Sequence, residues 1–202
     1  KMSLDRFIML EGWSQGLCIA LIAVAYGILS TYIAIYSQDV LNITAGTGTF
    51  FMLFAVGLIL SRFFGVRYLS KGFVVRNATY GVICVAIGYS LFAFWQNLYG
   101  YYISAVVIGF GQGSMYPAVQ TMFLNMASND KRGTANATIL TSWDLGIGLG
   151  IIGGGYVAEH LGGYNSAFLL SVIVSVISVV FFISYARKEY EKSLKSKVET
   201  RQ

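Results

Sequence analysis

Asp144 is the one acidic residue set well inside a long stretch of otherwise uncharged sequence, TANATILTSWDLGIGLGIIGGG at 134–155. A carboxylate in such a setting can carry a proton or hold a cation. Other polar groups are embedded in similar surroundings: Gln112, Tyr116 and Gln120 within GFGQGSMYPAVQ (109–120), and Tyr26 and Ser30 nearer the start. These side chains can offer hydrogen bonds to a solute, or to a neighbouring helix. Covalent catalysis finds little here. The single histidine, His160, lies beside Glu159 in a polar turn where both are expected to be solvated. Cys18 and Cys84 sit singly in apolar runs, without CxxC or Cys/His spacing, and read as small buried hydrophobes. The expectation is a protein that is not an enzyme and uses no cofactor and no metal.

The elements that must position these groups follow from composition. Of 202 residues, 56% are hydrophobic and only 11% charged, against about 25% charged in soluble chains. The polar side chains are too few to cover a water-facing surface, so the expected solvent is lipid. Each crossing takes roughly 20 apolar residues. The apolar runs predict six spans, at about 13–36, 49–68, 78–94, 101–124, 134–158 and 166–185. Residues 1–12 then read as the end of a cytoplasmic linker, 13–186 as the transmembrane domain, and 187–202 as a cytoplasmic tail, a polar helix or disordered end. The chain opens Lys-Met-Ser-Leu-Asp, with no signal peptide before its first span, which is the opening expected of a longer protein cut from its middle.

Charge placement tests the span count. All 14 Lys and Arg fall on Lys1, Arg6, the second-to-third connection (with Arg62, Arg67, Lys71 and Arg76 in and beside it), the fourth-to-fifth connection (Lys131, Arg132) and the tail. With six spans these groups alternate to one side, and the positive-inside rule puts both termini in the cytoplasm. The same scatter among connections excludes a nucleic-acid surface, which gathers cations on one face. Trp13, Trp95, Tyr99, Tyr101, Tyr102 and Tyr185 sit near span ends, where amphipathic rings favour the headgroup level. The third and sixth spans are apolar nearly all round and read as lipid-facing. The first, fourth and fifth carry more polar and small residues and read as the lining.

Two motifs carry both a structural and a functional reading. Gly109, Gly111 and Gly113 followed by Pro117, the only proline, would be a dinucleotide fingerprint only after a strand in a soluble βαβ unit. In lipid the glycines let helices approach closely and the proline bends its helix, as packing or as flexure. Gly146, Gly150 and Gly154 repeat every four residues and form one smooth packing face. Asp144 lies twelve residues from Arg132, about 18 Å along a helix, near the middle of a hydrocarbon layer about 30 Å thick. An ionised carboxylate there costs about 2.5–3.5 kcal/mol on insertion scales. It therefore faces a polar cavity, or is protonated or hydrogen-bonded and holds helices together. Arg132 marks the cytoplasmic end of that helix. Asn42-Ile43-Thr44 has the form of a glycosylation site, a pattern frequent by chance.

Order and spacing together resemble the major facilitator superfamily, specifically its C-terminal six-helix half in bacterial efflux-type members. SRFFGVRYLSKG (61–72) resembles the basic loop between the family's eighth and ninth helices, with Ser70 where an acidic residue usually precedes the last cation. GFGQGSMYPAVQ resembles the tenth helix, and Arg132-Gly133 followed by Asp144-Leu145-Gly146 the eleventh. The resemblance covers essentially the whole chain. It implies an all-α integral membrane fold of two inverted three-helix repeats, forming half of a twelve-helix bundle with substrate held between halves. It also implies secondary transport of a small solute in the plasma (inner) membrane, proton-coupled and tilted toward export of drugs or sugars. The first and fourth spans would line the path, the second and fifth would flank it and meet an N-terminal half, and Asp144 would contact proton or substrate. The alternative is a self-contained six-helix protein whose second copy replaces that half in a homodimeric transporter or channel.

Overall fold

The computed structural model describes residues 9–43, 46–70 and 72–199, with backbone alone described for 66–70, 129 and 197–199. Six long helices follow one another: α1 (Trp13–Asp39), α2 (Gly46–Ser70), α3 (Val74–Phe94), α4 (Leu98–Met126), α5 (Arg132–His160) and α6 (Gly163–Phe181). A π turn at Phe182–Ala186 leads from α6 into a polar helix, α7 (Arg187–Glu199), which occupies most of the charged tail. The described residues contain no strand. The apolar runs are sharp enough to mark each helix, and each helix then extends past its run into polar flanks, because hydrogen bonding continues until a cap or turn stops it. Asn97 caps α4 by accepting from the Gly100 N–H, at 2.8 Å. Gly162 (φ 107°) and Gly163 (φ 79°) supply the left-handed turn between α5 and α6.

Packing follows an exchange between the two chain halves. α1 leaves α2 and α3 and packs on α5 and α6, while α4 packs on α2 and α3, and α3 meets α6. Advancing three helices (α1 to α4, α2 to α5, α3 to α6) reproduces the same pattern of neighbours, and each such step reverses helix direction. This is the inverted three-helix repeat.

Glycine makes both principal seams. Between α1 and α5, a methyl group on Gly27 would strike the Ile147 carbonyl, and methyls on Gly146 and Gly150 would strike the carbonyls of Ala20 and Val24. Between α4 and α2, a methyl on Gly109 would strike the Phe54 carbonyl and one on Gly57 the Val106 carbonyl. Without side chains in the way, backbones meet at van der Waals distance, the main attraction available between helices in lipid.

Five helical segments are long and apolar enough to cross a membrane on that basis alone, and α4 is the long helix that falls outside this group. The reason is visible in its surroundings. Gly109, Gly111, Gln112, Gly113, Ser114 and Met115 are all buried against other helices, so α4 can be polar and glycine-rich without meeting lipid. Half of α3 is buried, including Tyr89 and Phe92, because it is clasped between α4 and α6, while Tyr80, Ile87 and Phe94 stay exposed. α2 and α5 expose more of their surface than α3 does.

The two ends of the bundle are closed differently. At the end away from the cations, Tyr36, Phe50, Phe92, Tyr101 and Phe168, one ring from each of five helices, form a buried knot with centroids as close as 4.6 Å (Tyr36–Phe168) and 4.7 Å (Phe92–Phe168). At the opposite end the ties are hydrogen bonds. The Gln15 amide donates to the Ala186 carbonyl in the π turn (3.0 Å), the Met9 N–H donates to Thr138 (2.9 Å), and Asn125 donates to the Tyr190 hydroxyl of α7 (2.9 Å).

Candidate functional site: an aromatic wall beside Asp144

The glycine seam decides where Asp144 points. Gly146 and Gly150 fix one face of α5 against α1. Asp144 precedes Gly146 by two residues, about 200° around an α-helix, so its side chain leaves on the opposite side. It is exposed there, along with Leu140, Thr141, Leu145 and Leu149. Its carboxylate makes no hydrogen bond or ion pair among the described residues. An acid projecting from an apolar face, rather than tucked against a neighbouring helix, is placed to meet something outside the six-helix unit.

Trp143, one residue earlier, is turned by about 100° and lies beside the seam instead. Its ring meets Tyr26 of α1 at 5.6 Å and Tyr116 of α4 edge-on at 5.5 Å (81° between planes). Tyr26 in turn meets Phe54 of α2 at 6.0 Å, and Phe54 meets Phe51 at 6.4 Å. Four helices thus contribute to one continuous wall of rings. Tyr26, Tyr116 and Trp143 are half-buried. Tyr116 lies within electrostatic reach of the Asp144 carboxylate.

Other sequence candidates divide. Gln112 is buried in α4 and its Nε2 has no hydrogen-bond partner within the described residues. Gln120 donates to Asn136 at 2.9 Å, a bond between α4 and α5 at an exposed position. Ser30 turns back to the Gly27 carbonyl of its own helix (3.3 Å), so its hydroxyl is already engaged. Gly109 and Gly113 face α2, and Gly111 faces α3 at Val85. Pro117 lies within the unbroken helix α4, and Thr121 donates to its carbonyl at 2.7 Å. Gly154 meets the Ile28 side chain, extending the α1 seam. Arg62 and Arg132 are exposed at the cation-bearing end. Lys71 and the side chain of Arg67 lie outside the described residues, as does Thr44. His160 stacks on Tyr156 (4.6 Å) at an exposed position.

Residue-by-residue reading passed over Trp143, Phe51 and Phe54. Each is apolar enough to vanish into its span, and their convergence depends on the exchange of α1 with α4. The adjacency of Trp143 to the lone buried-span acid was the signal available. Asn77 was also missed. It is buried and donates to the Ser114 carbonyl at 3.2 Å, an interhelical tie next to the glycine-rich stretch.

Chemically, a wall of half-exposed rings offers apolar contact and favourable faces for a cation, and the carboxylate offers a proton-exchanging group or a counter-charge. Among the described residues, no group of three or more His, Cys, Asp or Glu could hold a metal ion. Compared with protein families, the chain matches the model described as Major Facilitator Superfamily over residues 16–201.

Proposed function

The chain belongs to the major facilitator superfamily, and from that premise we propose that it forms one wall of an alternating-access path for proton-coupled efflux of a small solute. Membership gives transport of a solute across a lipid bilayer. The finer reading is supported by one observation above all: Asp144 is exposed next to a ring cluster built by α1, α2, α4 and α5 together. The opposite wall is a second six-helix unit, the N-terminal half of the same protein. The apolar faces of α2 and α5, more open than that of α3, flank the cluster and meet that unit. The cations gathered at one end of the bundle support a reading in which both termini are cytoplasmic and the protein sits in the plasma membrane. Tyr116 and Trp143 contact the solute, and Asp144 exchanges a proton as the path opens to either side. Gln112, whose buried Nε2 lacks a partner, donates to solute or water.

The test is solute-driven proton movement in liposomes containing the complete transporter, read by an internal pH dye across a panel of lipophilic cations and sugars. Asp144→Asn is expected to abolish pH-driven accumulation while leaving exchange of solute down its own gradient. Full retention of pH-driven accumulation in Asp144→Asn refutes the coupling role. A six-helix dimer that transports without any N-terminal unit refutes the two-half arrangement.

A further inference from the structure

At the cation-bearing end a cleft of about 720 Å³ opens between the start of α1, the end of α4 and the junction of α6 with α7. Its lining includes Glu11, Ser184, Lys188, Glu189, Lys192 and Ser193. The α7 residues recur every three or four positions, so one face of the helix presents two ammonium groups, a carboxylate and a hydroxyl together. The charges are unevenly satisfied. Glu11 is paired with Lys131 at 3.7 Å. Lys188, Lys192 and Glu189 have no salt bridge among the described residues, and the Oε2 of Glu189 is buried without a hydrogen-bond partner. A carboxylate oxygen held out of water without a donor is costly, and Glu189 lines the cleft, where a donor brought by a ligand can meet its carboxylate.

The level of the cleft identifies the surroundings. Tyr185, which lines it, stacks on Phe181 (5.7 Å) and meets Trp13 at 5.3 Å. Such a group of amphipathic rings at a span end marks the headgroup layer of a bilayer, with the exposed apolar side of α6 running on below it.

We propose that this cleft binds the headgroup of an aminophospholipid: a phosphate ester carrying a primary amine. The ammonium donates to the Glu189 carboxylate in a charge-assisted bond. The phosphate oxygens accept from Lys188, Lys192 and the Ser193 hydroxyl. A choline headgroup has no N–H to give Glu189, and an anionic headgroup without an amine adds negative charge beside that carboxylate. The inference rests on the bilayer placement of the bundle and is independent of the solute path, whose residues lie elsewhere.

The chain in nanodiscs of equimolar phosphatidylethanolamine, phosphatidylcholine and phosphatidylglycerol, extracted into mild detergent, is assayed by mass spectrometry for retained lipid. The wild type is expected to retain phosphatidylethanolamine over phosphatidylcholine by about tenfold or more, the discrimination given by one hydrogen bond to a charged group. Glu189→Gln removes the preference while circular dichroism shows unchanged helix content. Lys188→Gln with Lys192→Gln lowers retention of every headgroup. A wild type with equal retention of the three lipids, or a preference for phosphatidylglycerol, overturns the proposal without reference to any variant. So does a preference that survives Glu189→Gln. Displacement of the retained lipid by free phosphoethanolamine at a concentration no higher than that of the lipid reassigns the site to a soluble ester and overturns the lipid assignment.

Discussion

Gly109 of α4 lies directly against the carbonyl of Phe54 in α2, and Gly150 of α5 lies in the same way against the carbonyl of Val24 in α1. The two contacts lie in corresponding seams of the inverted repeats, α4 on α2 and α5 on α1. Each brings an aromatic of the candidate site into position: Phe54 itself in the first case, Trp143 two turns away from Gly150 in the second. The glycines set the distance between backbones, and the rings fill the space that remains.

A methyl at either glycine must therefore push two helices apart. Gly109→Ala and Gly150→Ala are each expected to destabilise the bundle by about 1–3 kcal/mol, the usual range for overpacking. Denaturation in mixed micelles would read this as a lowered midpoint. Gly148, on the same helix as Gly150, has nothing near the place of an added methyl. Gly148→Ala is expected to be neutral, or stabilising by up to about 1 kcal/mol through helix propensity. Equal losses at Gly148 and Gly150 would show that the seam is not what holds α5.

How much of this was open to sequence reading differs by level. Helix number and order were legible because hydrocarbon demands long uncharged runs and Lys and Arg interrupt them. The GxxxGxxxG face at Gly146, Gly150 and Gly154 was legible as a packing surface. Its partner was not, since nothing local in α5 says that α1 rather than α4 lies opposite. The same limit hid the wall: Tyr26, Phe54, Tyr116 and Trp143 lie on four helices, and a one-dimensional pattern gives each ring a face but not a neighbour. The inner side of α3 was hidden for a related reason. Apolar residues all round a helix suit lipid and suit a clasp between α4 and α6 equally well.

Asp130 supplies a pH dependence outside the spans. The Ser128 hydroxyl, and after it the backbone N–H of Asp130, hold its carboxyl below the usual carboxylate range. A carboxyl whose folded value is depressed contributes stability above the ordinary value and loses it as pH falls through the folded one. The turn at Asn129–Lys131, which starts α5, is thus expected to loosen only in acid. Ser128→Ala should move the Asp130 titration upward, toward the ordinary range, in carboxyl-selective NMR. An unchanged titration would show that the hydroxyl is not its partner.

Stability separates the two readings of Asp144. If the carboxylate tied helices together, removing it would leave a partner unsatisfied. It is exposed and makes no hydrogen bond among the described residues, so Asp144→Ala is expected to leave the unfolding midpoint unchanged or raise it, since the bundle no longer carries a costly acid. Asn77→Ala is the contrast, because it breaks the bond to the Ser114 carbonyl. A loss of about 0.6–1.7 kcal/mol is expected, as for interhelical hydrogen bonds in membranes. Destabilisation by Asp144→Ala as large as that by Asn77→Ala would make the acid a structural tie.

The remaining question is what α5 faces, and collision with paramagnetic relaxers answers it position by position. Ile173 and Ile177 are exposed on α6, in a stretch with no charged neighbour, and labels there are expected to be relaxed by oxygen and shielded from a water-soluble nickel chelate. Thr141 is exposed on α5 one turn from Asp144. If that face lines a solute path, a label at Thr141 must meet the nickel chelate in at least one state of the complete transporter, even though its depth matches that of a lipid-buried site. The contrast does not depend on knowing the solute, because water enters an open path whatever the cargo. A label at Thr141 with the oxygen-only profile of Ile177 in every state would place Asp144 in lipid, where an ionised acid cannot remain, and would remove the proton-coupling role at its root.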